Sequence, residues 1–483
     1  MHRLIALTIG TLTLGSLPFS PGGAQAAGTE TDPRIVALAD SVFGRLTHSA
    51  PGCVVGVARD GEVVLERAYG LANLEHNVPL SPSSILEAGS VSKQFTAAAV
   101  TLLALDGKLR FDDPVQKHFP ELPDYGARVT VRMLLDHTSG LRDWGNIASL
   151  AGWPRGSRAY THPHVLEIIA RQRSLNYAPG SRYSYTNSGY SLLAMLVERV
   201  SGIPFAQFTH ERLFTPLGMT HTSWRDDFRR VVPGRAQAYE RSATGFAEMR
   251  LDMPFENTHG HGGLLTTVGD LLKWNESLTN RTLGGALVDS LTRQGVLTDG
   301  TTITYAAGLV VDEYRGTPRI AHSGSTAGYR AYVARYPEQR DLSLAVLCNT
   351  GHNASALVHG MVDGLATGLG PAPARGTSGR VAGPVTQPAP ETLRAYVGEY
   401  ASDEVGATIR VALKDGRLTI QRPPETPTRL NAVADGRFSP GGGLELWFTT
   451  DEASGEPVLH VAMSRAYDVV FRRVPSNSRS SGP

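Results

Sequence analysis

Ser90 and Lys93 lie three residues apart in the stretch "AGSVSKQF", a spacing that puts both side chains on one face of a helix. A serine hydroxyl needs a base before it can act as a nucleophile. A neutral amine can serve if its surroundings lower a pKa that is ordinarily about 10.4, as burial or a neighbouring cation does. Arginine cannot serve, because it keeps its proton in proteins. Of 46 Lys and Arg residues only five are lysines, at 93, 108, 117, 273 and 414. A lysine kept at 93 in so arginine-biased a chain fits a need for an amine that can be deprotonated. Gly89 predicts a helix start at Ser90, where free N–H groups and the helix dipole favour developing negative charge. Ser92 falls on another face. The pair alone decides nothing, since a capping serine followed by a solvated lysine reads the same way.

Two further stretches carry matching chemistry. "YSYTNSGYSLLAMLVERVSG" sets Tyr185 and Asn187 just before a helix, and "RIAHSGSTAGYRAYVARYP" sets His322 and Gly324 on a strand that ends in a tight turn. Ser-x-x-Lys, Tyr-x-Asn and His-x-Gly in this order resemble the β-lactamase-like serine hydrolases: class C β-lactamases, D-alanyl-D-alanine carboxypeptidases, D-aminopeptidases and related esterases. "LLDHTSGL" at 134–141, "PLGMTHTSW" at 216–224 and "GGLLTTVGDLLKW" at 262–274 match as well, and the resemblance covers residues 33–365.

The resemblance implies that Ser90 is acylated and that Lys93 takes its proton directly or through Tyr185. Tyr185 would relay a proton to the leaving group, and Asn187 would bond the substrate amide. The backbone N–H groups of Ser90 and Ser325 would form the oxyanion hole. His322 is a departure from class C β-lactamases, which usually carry lysine there. Histidine looks more like the carboxypeptidases and D-aminopeptidases, as a neutral proton relay or, protonated, as a holder of a substrate carboxylate. The resemblance also lays the first strand beside the last, so that Cys53 and Cys348 face each other, either bridged or as two buried thiols. It implies a C-terminal lipocalin-like barrel that leans over the cleft and restricts substrates.

The elements that must position these residues are legible in outline. Asp60-Gly61 between two apolar runs predicts a hairpin. Helices are predicted over 90–105, with Gly107 ending the first, and over 191–200 and 264–278. Three strands are predicted over 319–349. The fold class is α+β: an antiparallel sheet with helices packed on it over 33–367, a Gly/Pro-rich linker over 368–390, and a small all-β barrel over 391–474. A tail follows over 475–483. Residues 1–26 read as a secretory signal peptide cut after Ala26, so the chain is expected in the periplasm or the medium.

A net charge of +1 with no basic stripe points away from nucleic acid, and no later apolar run is long enough to span a bilayer. The two cysteines fit no zinc motif. No cofactor or metal is expected. His137 is expected to bond backbone in a turn, and His259 and His261 are read as glycine-rich flexibility beside the pocket in preference to a metal site. There is no Gly-x-Ser-x-Gly elbow. The expected function is an exported serine hydrolase cleaving D-amino-acid peptides, of carboxypeptidase or aminopeptidase type, or small esters, with peptidoglycan-derived peptides among its partners. The alternatives are a weak β-lactamase or penicillin-binding protein, and a silent module that binds cell-wall peptides.

Overall fold

The computed structural model describes residues 32–46, 49–242, 245–250, 256–372, 385 and 388–475. The expected signal peptide, most of the expected linker and nearly all of the expected tail lie outside them.

Strands β1 (Cys53–Arg59) and β2 (Glu62–Tyr69) form a hairpin about Asp60-Gly61, both with positive φ. Five later strands complete the sheet: β3 (Tyr305–Ala306), β4 (Leu309–Tyr314), β5 (Thr317–Thr326), β6 (Tyr329–Tyr336) and β7 (Leu342–Cys348). Their order is β3-β4-β5-β6-β7-β1-β2, antiparallel throughout. Every residue of β7 is buried, because the central strands are covered on both faces. One face packs on helices α1 (Pro33–Phe43) and α5 (Ala354–Leu365), using Val55, Val57, Val346, Val358 and Met361. The other takes α4 (Val268–Thr279) on the side of Val54, Ala345 and Leu347, in one core with α2 (Ser92–Leu105) and α3 (Asn187–Ser201), which pack on each other. Cys53 and Cys348 stand opposite in register on β1 and β7 and are joined by a disulfide.

Two predicted helices have different starts. Ser90 lies in a 3₁₀ turn, Gly89–Val91, and the α-helix begins at Ser92. The Ser92 hydroxyl is spent on backbone, donating to the Gly89 carbonyl (2.5 Å) and accepting from Leu264 N–H (3.1 Å). The stretch predicted helical over 264–278 opens as a strand, Leu264–Thr266, and turns helical only after Thr267, whose side chain caps the Asp270 N–H. A continuous apolar run carries no period to separate the two states.

The C-terminal part is a single nine-stranded antiparallel sheet, curled into a nearly closed barrel around Tyr400, Ile409, Val411, Leu446, Leu459 and Phe471. Its last hairpin, β8 (Pro457–Met463) and β9 (Ala466–Arg473), turns at Ser464-Arg465 and docks on the segment 142–176. Arg465 N–H donates to Asn146 Oδ1 (3.1 Å), and its carbonyl accepts from Asp143 N–H (3.1 Å) and Asn176 Nδ2 (3.0 Å). Arg142, almost fully buried here, donates to Glu404 Oε2 (2.7 Å) and to the Asp468 carbonyl (3.1 Å). Glu404 also accepts from the N–H groups of Arg173 and Ser174. Among the described residues no helix is long and apolar enough to cross a membrane.

Candidate active site

Helix α2 is buried on twelve of its fourteen residues, so it has no wet face. A lysine in its first turn is therefore enclosed. Lys93 Nζ lies 3.1 Å from Ser90 Oγ, 3.0 Å from Asn187 Oδ1 and 2.6 Å from the His261 carbonyl oxygen. Burial pushes its pKa well below the usual lysine range, Arg465 and Arg155 push it further, and Asp143 opposes them. The positive end of α2 adds to the bias against an ammonium. Two of the three partners are carbonyl-type oxygens, which only accept. A neutral amine directs its two N–H groups at them and has its lone pair left for the Ser90 hydroxyl. That is the arrangement of a base facing its nucleophile.

Asn187 opens α3, after Thr186 at the cap, and its N–H donates to Asp143 Oδ2 (2.7 Å). Tyr185, two residues earlier, is half-buried with its ring centroid 4.7 Å from Lys93 Nζ. Its hydroxyl is near enough to Ser90 for the serine to lower its pKa, yet it makes no well-formed hydrogen bond. Burial outweighs the serine and raises the pKa, so the phenol keeps its proton. Beneath it lies His137, with φ +58° and its ring 4.2 Å away, whose Nδ1 accepts from Thr186 N–H at 3.2 Å. Burial holds this imidazole neutral.

His322 sits on β5 with Gly324 and Ser325. Its Nδ1 lies 2.6 Å from the Ser323 carbonyl and its Nε2 3.2 Å from the Tyr305 hydroxyl. Burial lowers its pKa to about 4. Of the two readings of His322, this environment favours the neutral relay over the protonated holder of a substrate carboxylate. Gly324 lets β5 approach the nucleophile turn. A Cβ there would stand 2.0 Å from the Ala88 carbonyl oxygen, and one on Gly89, itself at φ +52°, would stand 2.7 Å from Ser325 N. The backbones of Ser90 and Ser325 are thus brought together at one end of the pocket, as an oxyanion site requires.

The carbonyl of His261 is the partner that sequence reading missed, because a backbone oxygen has no side-chain signature. It is held by buried charge. Glu87 accepts from Arg225 (2.9 and 3.1 Å) and from Gly263 N–H (3.1 Å), and Glu256 accepts from Arg155 (2.6 to 3.0 Å). His261 Nδ1 lies 3.0 Å from Ser191 Oγ, and burial lowers its pKa to about 4. His259, also buried, packs against Phe205 and His162, with Glu198 close by. The segment 256–263 is therefore an anchored wall, and the reading of it as glycine-rich flexibility is corrected.

The resulting cleft is about 520 Å³. Ser90, Tyr185, Asn187, His322 and Ser325 line it, with Tyr183, Tyr305 and Val310 on the apolar side. Arg465 of the barrel lines it as well, its guanidinium 4.8 Å from the Tyr185 ring centroid. No local pattern in the sequence assigns Arg465 to this site.

A serine–lysine–tyrosine group in a cleft between an antiparallel sheet and an enclosed helix, its lysine buried, defines a serine hydrolase of the β-lactamase and penicillin-binding type. The chain belongs to the beta-lactamase family, whose model matches residues 35–367. A D-aminopeptidase of Cereibacter sphaeroides is 29% identical over 402 residues, 82% of this chain and 72% of the relative. Penicillin-binding protein 4* of Bacillus subtilis is 30% identical over 310 residues, 61% of this chain and 67% of the relative. Among solved structures, an octameric penicillin-binding protein homologue from Pyrococcus abyssi aligns with a TM-score of 0.59 at 21% identity, over 91% of this chain and 99% of that one. A D-amino acid amidase from Ochrobactrum anthropi aligns with 0.58 at 22%, over 69% of this chain and 97% of that one.

Proposed function

We propose that this chain is an exported hydrolase that cleaves amide bonds of D-amino-acid peptides through an acyl-enzyme on Ser90. The observation that carries the reading is the enclosed Lys93 amine, fixed by two acceptors so that it faces Ser90. Ser90 Oγ attacks the carbonyl carbon as its proton passes to Lys93 Nζ. The oxyanion is held by the N–H groups of Ser90 and Ser325. Donors of this kind are each worth about 10²–10³-fold in rate. Collapse breaks the C–N bond, and the leaving nitrogen takes a proton through the Tyr185 hydroxyl, which Lys93 replenishes. Water then attacks the ester, its proton returns along the same groups, and Ser90 is released. The opposed shifts of Lys93 and Tyr185 fit an amine that accepts and a phenol that donates. Asn187 Nδ2 holds the substrate amide, and His322 orients Tyr305 beside the relay.

The D-aminopeptidase and D-amino acid amidase relatives support the choice of D-amino-acid amides. The leader-like residues 1–26 and the Cys53–Cys348 bond support export. We assign the catalytic unit to 33–367 and the barrel to 391–474, with the linker between them.

Intact-mass spectrometry after treatment with a fluorophosphonate or a penicillin tests the reading. One acyl or phosphonyl adduct is expected on Ser90 and none on Ser90→Ala. No adduct on the wild type with either reagent would leave a binding module without catalysis.

A further inference from the structure

The geometry points to Arg465 as a carboxylate-binding site that the C-terminal barrel contributes to the cleft, so that the preferred substrate carries a free carboxylate on its leaving portion. The inference rests on the acyl-enzyme reading and adds the charge and placement of the substrate group.

Two cations line the cleft, Arg155 and Arg465, and among its described lining residues there is no Asp or Glu. Arg155 is committed, with three hydrogen bonds to Glu256. Arg465 is not. Its backbone is pinned on both sides, by Asn146, Asp143 and Asn176, but its guanidinium donates no hydrogen bond to a described side chain or carbonyl. Its nearest acid, Asp143, stands 4.0 Å away. Asp143 already accepts the N–H groups of Gly145, Asn146 and Asn187. A planar fork of donors on a pinned backbone, stacked on Tyr185 and engaged only by the long ion pair to Asp143, suits a carboxylate, which it can bind through two parallel hydrogen bonds. Its side chain is 40% exposed, enough for an incoming anion to reach it.

The position gives the side of the substrate. Arg465 stacks on Tyr185, the group that protonates the departing nitrogen in the proposed reaction. An anion held there belongs to the part of the substrate that leaves. A substrate ammonium, by contrast, meets the Arg465 guanidinium and no lining carboxylate in this cleft, so binding through a free amino group is disfavoured. His322 is already engaged, with Nδ1 2.6 Å from the Ser323 carbonyl and Nε2 3.2 Å from the Tyr305 hydroxyl.

The test compares N-acetyl-D-alanyl-D-alanine, its C-terminal amide, and D-alanine 4-nitroanilide on the full chain. In the wild type the free acid is expected to exceed the amide in kcat/KM by about 10- to 100-fold, the range of a hydrogen-bonded charge. Arg465→Ala and Arg465→Gln should bring the two substrates to within about 2-fold, mainly through KM for the acid, while Arg465→Lys keeps part of the preference. Equal turnover of acid and amide by the wild type, or preference for the free amine of the anilide, overturns the carboxylate site and leaves the acyl-enzyme standing. Loss of both peptides alike in Arg465→Ala and Arg465→Gln overturns it too, since that is a structural effect. Absence of any Ser90 acylation strikes the underlying reading instead.

Discussion

Asn187 Oδ1 accepts a hydrogen bond from Lys93 Nζ at 3.0 Å, across 94 positions of sequence. An amide oxygen accepts without charge, so it aims the amine and leaves it free to stay neutral. The isosteric carboxylate would aim it equally and also favour the ammonium. Asn187→Asp is therefore expected to move the acid limb of the kcat/KM–pH profile upward by about 1–3 units, the usual effect of an adjacent opposite charge. The maximal rate should fall as well, because the donor to substrate is lost. A variant with reduced rate and an unmoved acid limb would mean that Lys93 is not the group that must be neutral.

Gly324 meets the Ala88 carbonyl so closely that a Cβ would fall 2.0 Å from it. Gly324→Ala must push β5 away from the Ser90 turn. The expected result is a loss of about 10²-fold or more in kcat/KM, because a displacement of about 1 Å at a reacting centre is enough for that. The stability cost is about 1–3 kcal/mol, as for other overpacked sites. Gly351→Ala, with nothing within 4 Å of its Cβ, is the control and should leave both quantities unchanged. Full activity in Gly324→Ala would show that the close approach is dispensable.

Five buried histidines make the fold acid-sensitive. Burial lowers His261 and His322 to about 4, lowers His162, and holds His137 and His259 well below the usual range. Once the pH drops below about 6.5 the unfolded chain takes up protons that the folded chain refuses, so stability falls from there down to about pH 4. Asp136 works the other way: burial raises it to about 7, and the folded chain already holds its proton at pH 5. The net expectation is an uptake of several protons on unfolding at pH 5, the five rings and the Lys93 amine together outweighing Asp136. The slope of unfolding free energy against pH, from urea titrations between pH 4.5 and 6.5, measures it. A flat profile would require these rings to be protonated in the fold.

The parts legible in the sequence are those that fit within a few residues. Ser90 with Lys93, Tyr185 with Asn187 and His322 with Gly324 each sit at one helix start or on one strand, so spacing alone puts them on a common side. The Asp60-Gly61 turn is legible for the same local reason, as it needs positive φ. The illegible parts are tertiary. Glu87, Arg155, Arg225 and Glu256 look like surface charges until the fold buries them against one another. Leu264–Thr266 has the composition of the helix it precedes and becomes a strand by pairing with Leu86-Glu87 and Ser223-Trp224. Arg465 reaches the cleft only because a barrel about 375 positions downstream of Ser90 rests its hairpin there.

The Cys53–Cys348 bond ties the first strand of the catalytic sheet to its last. Covalently that part of the chain is a ring, and Ser90, Lys93, Tyr185, Asn187 and His322 are all beads on it. Arg465 hangs outside as a pendant. The residues proposed to make and break bonds are sealed into a closed circuit, and the arginine proposed to meet the substrate's charge is strung on an open thread. A different pendant would give the same ring a different appetite.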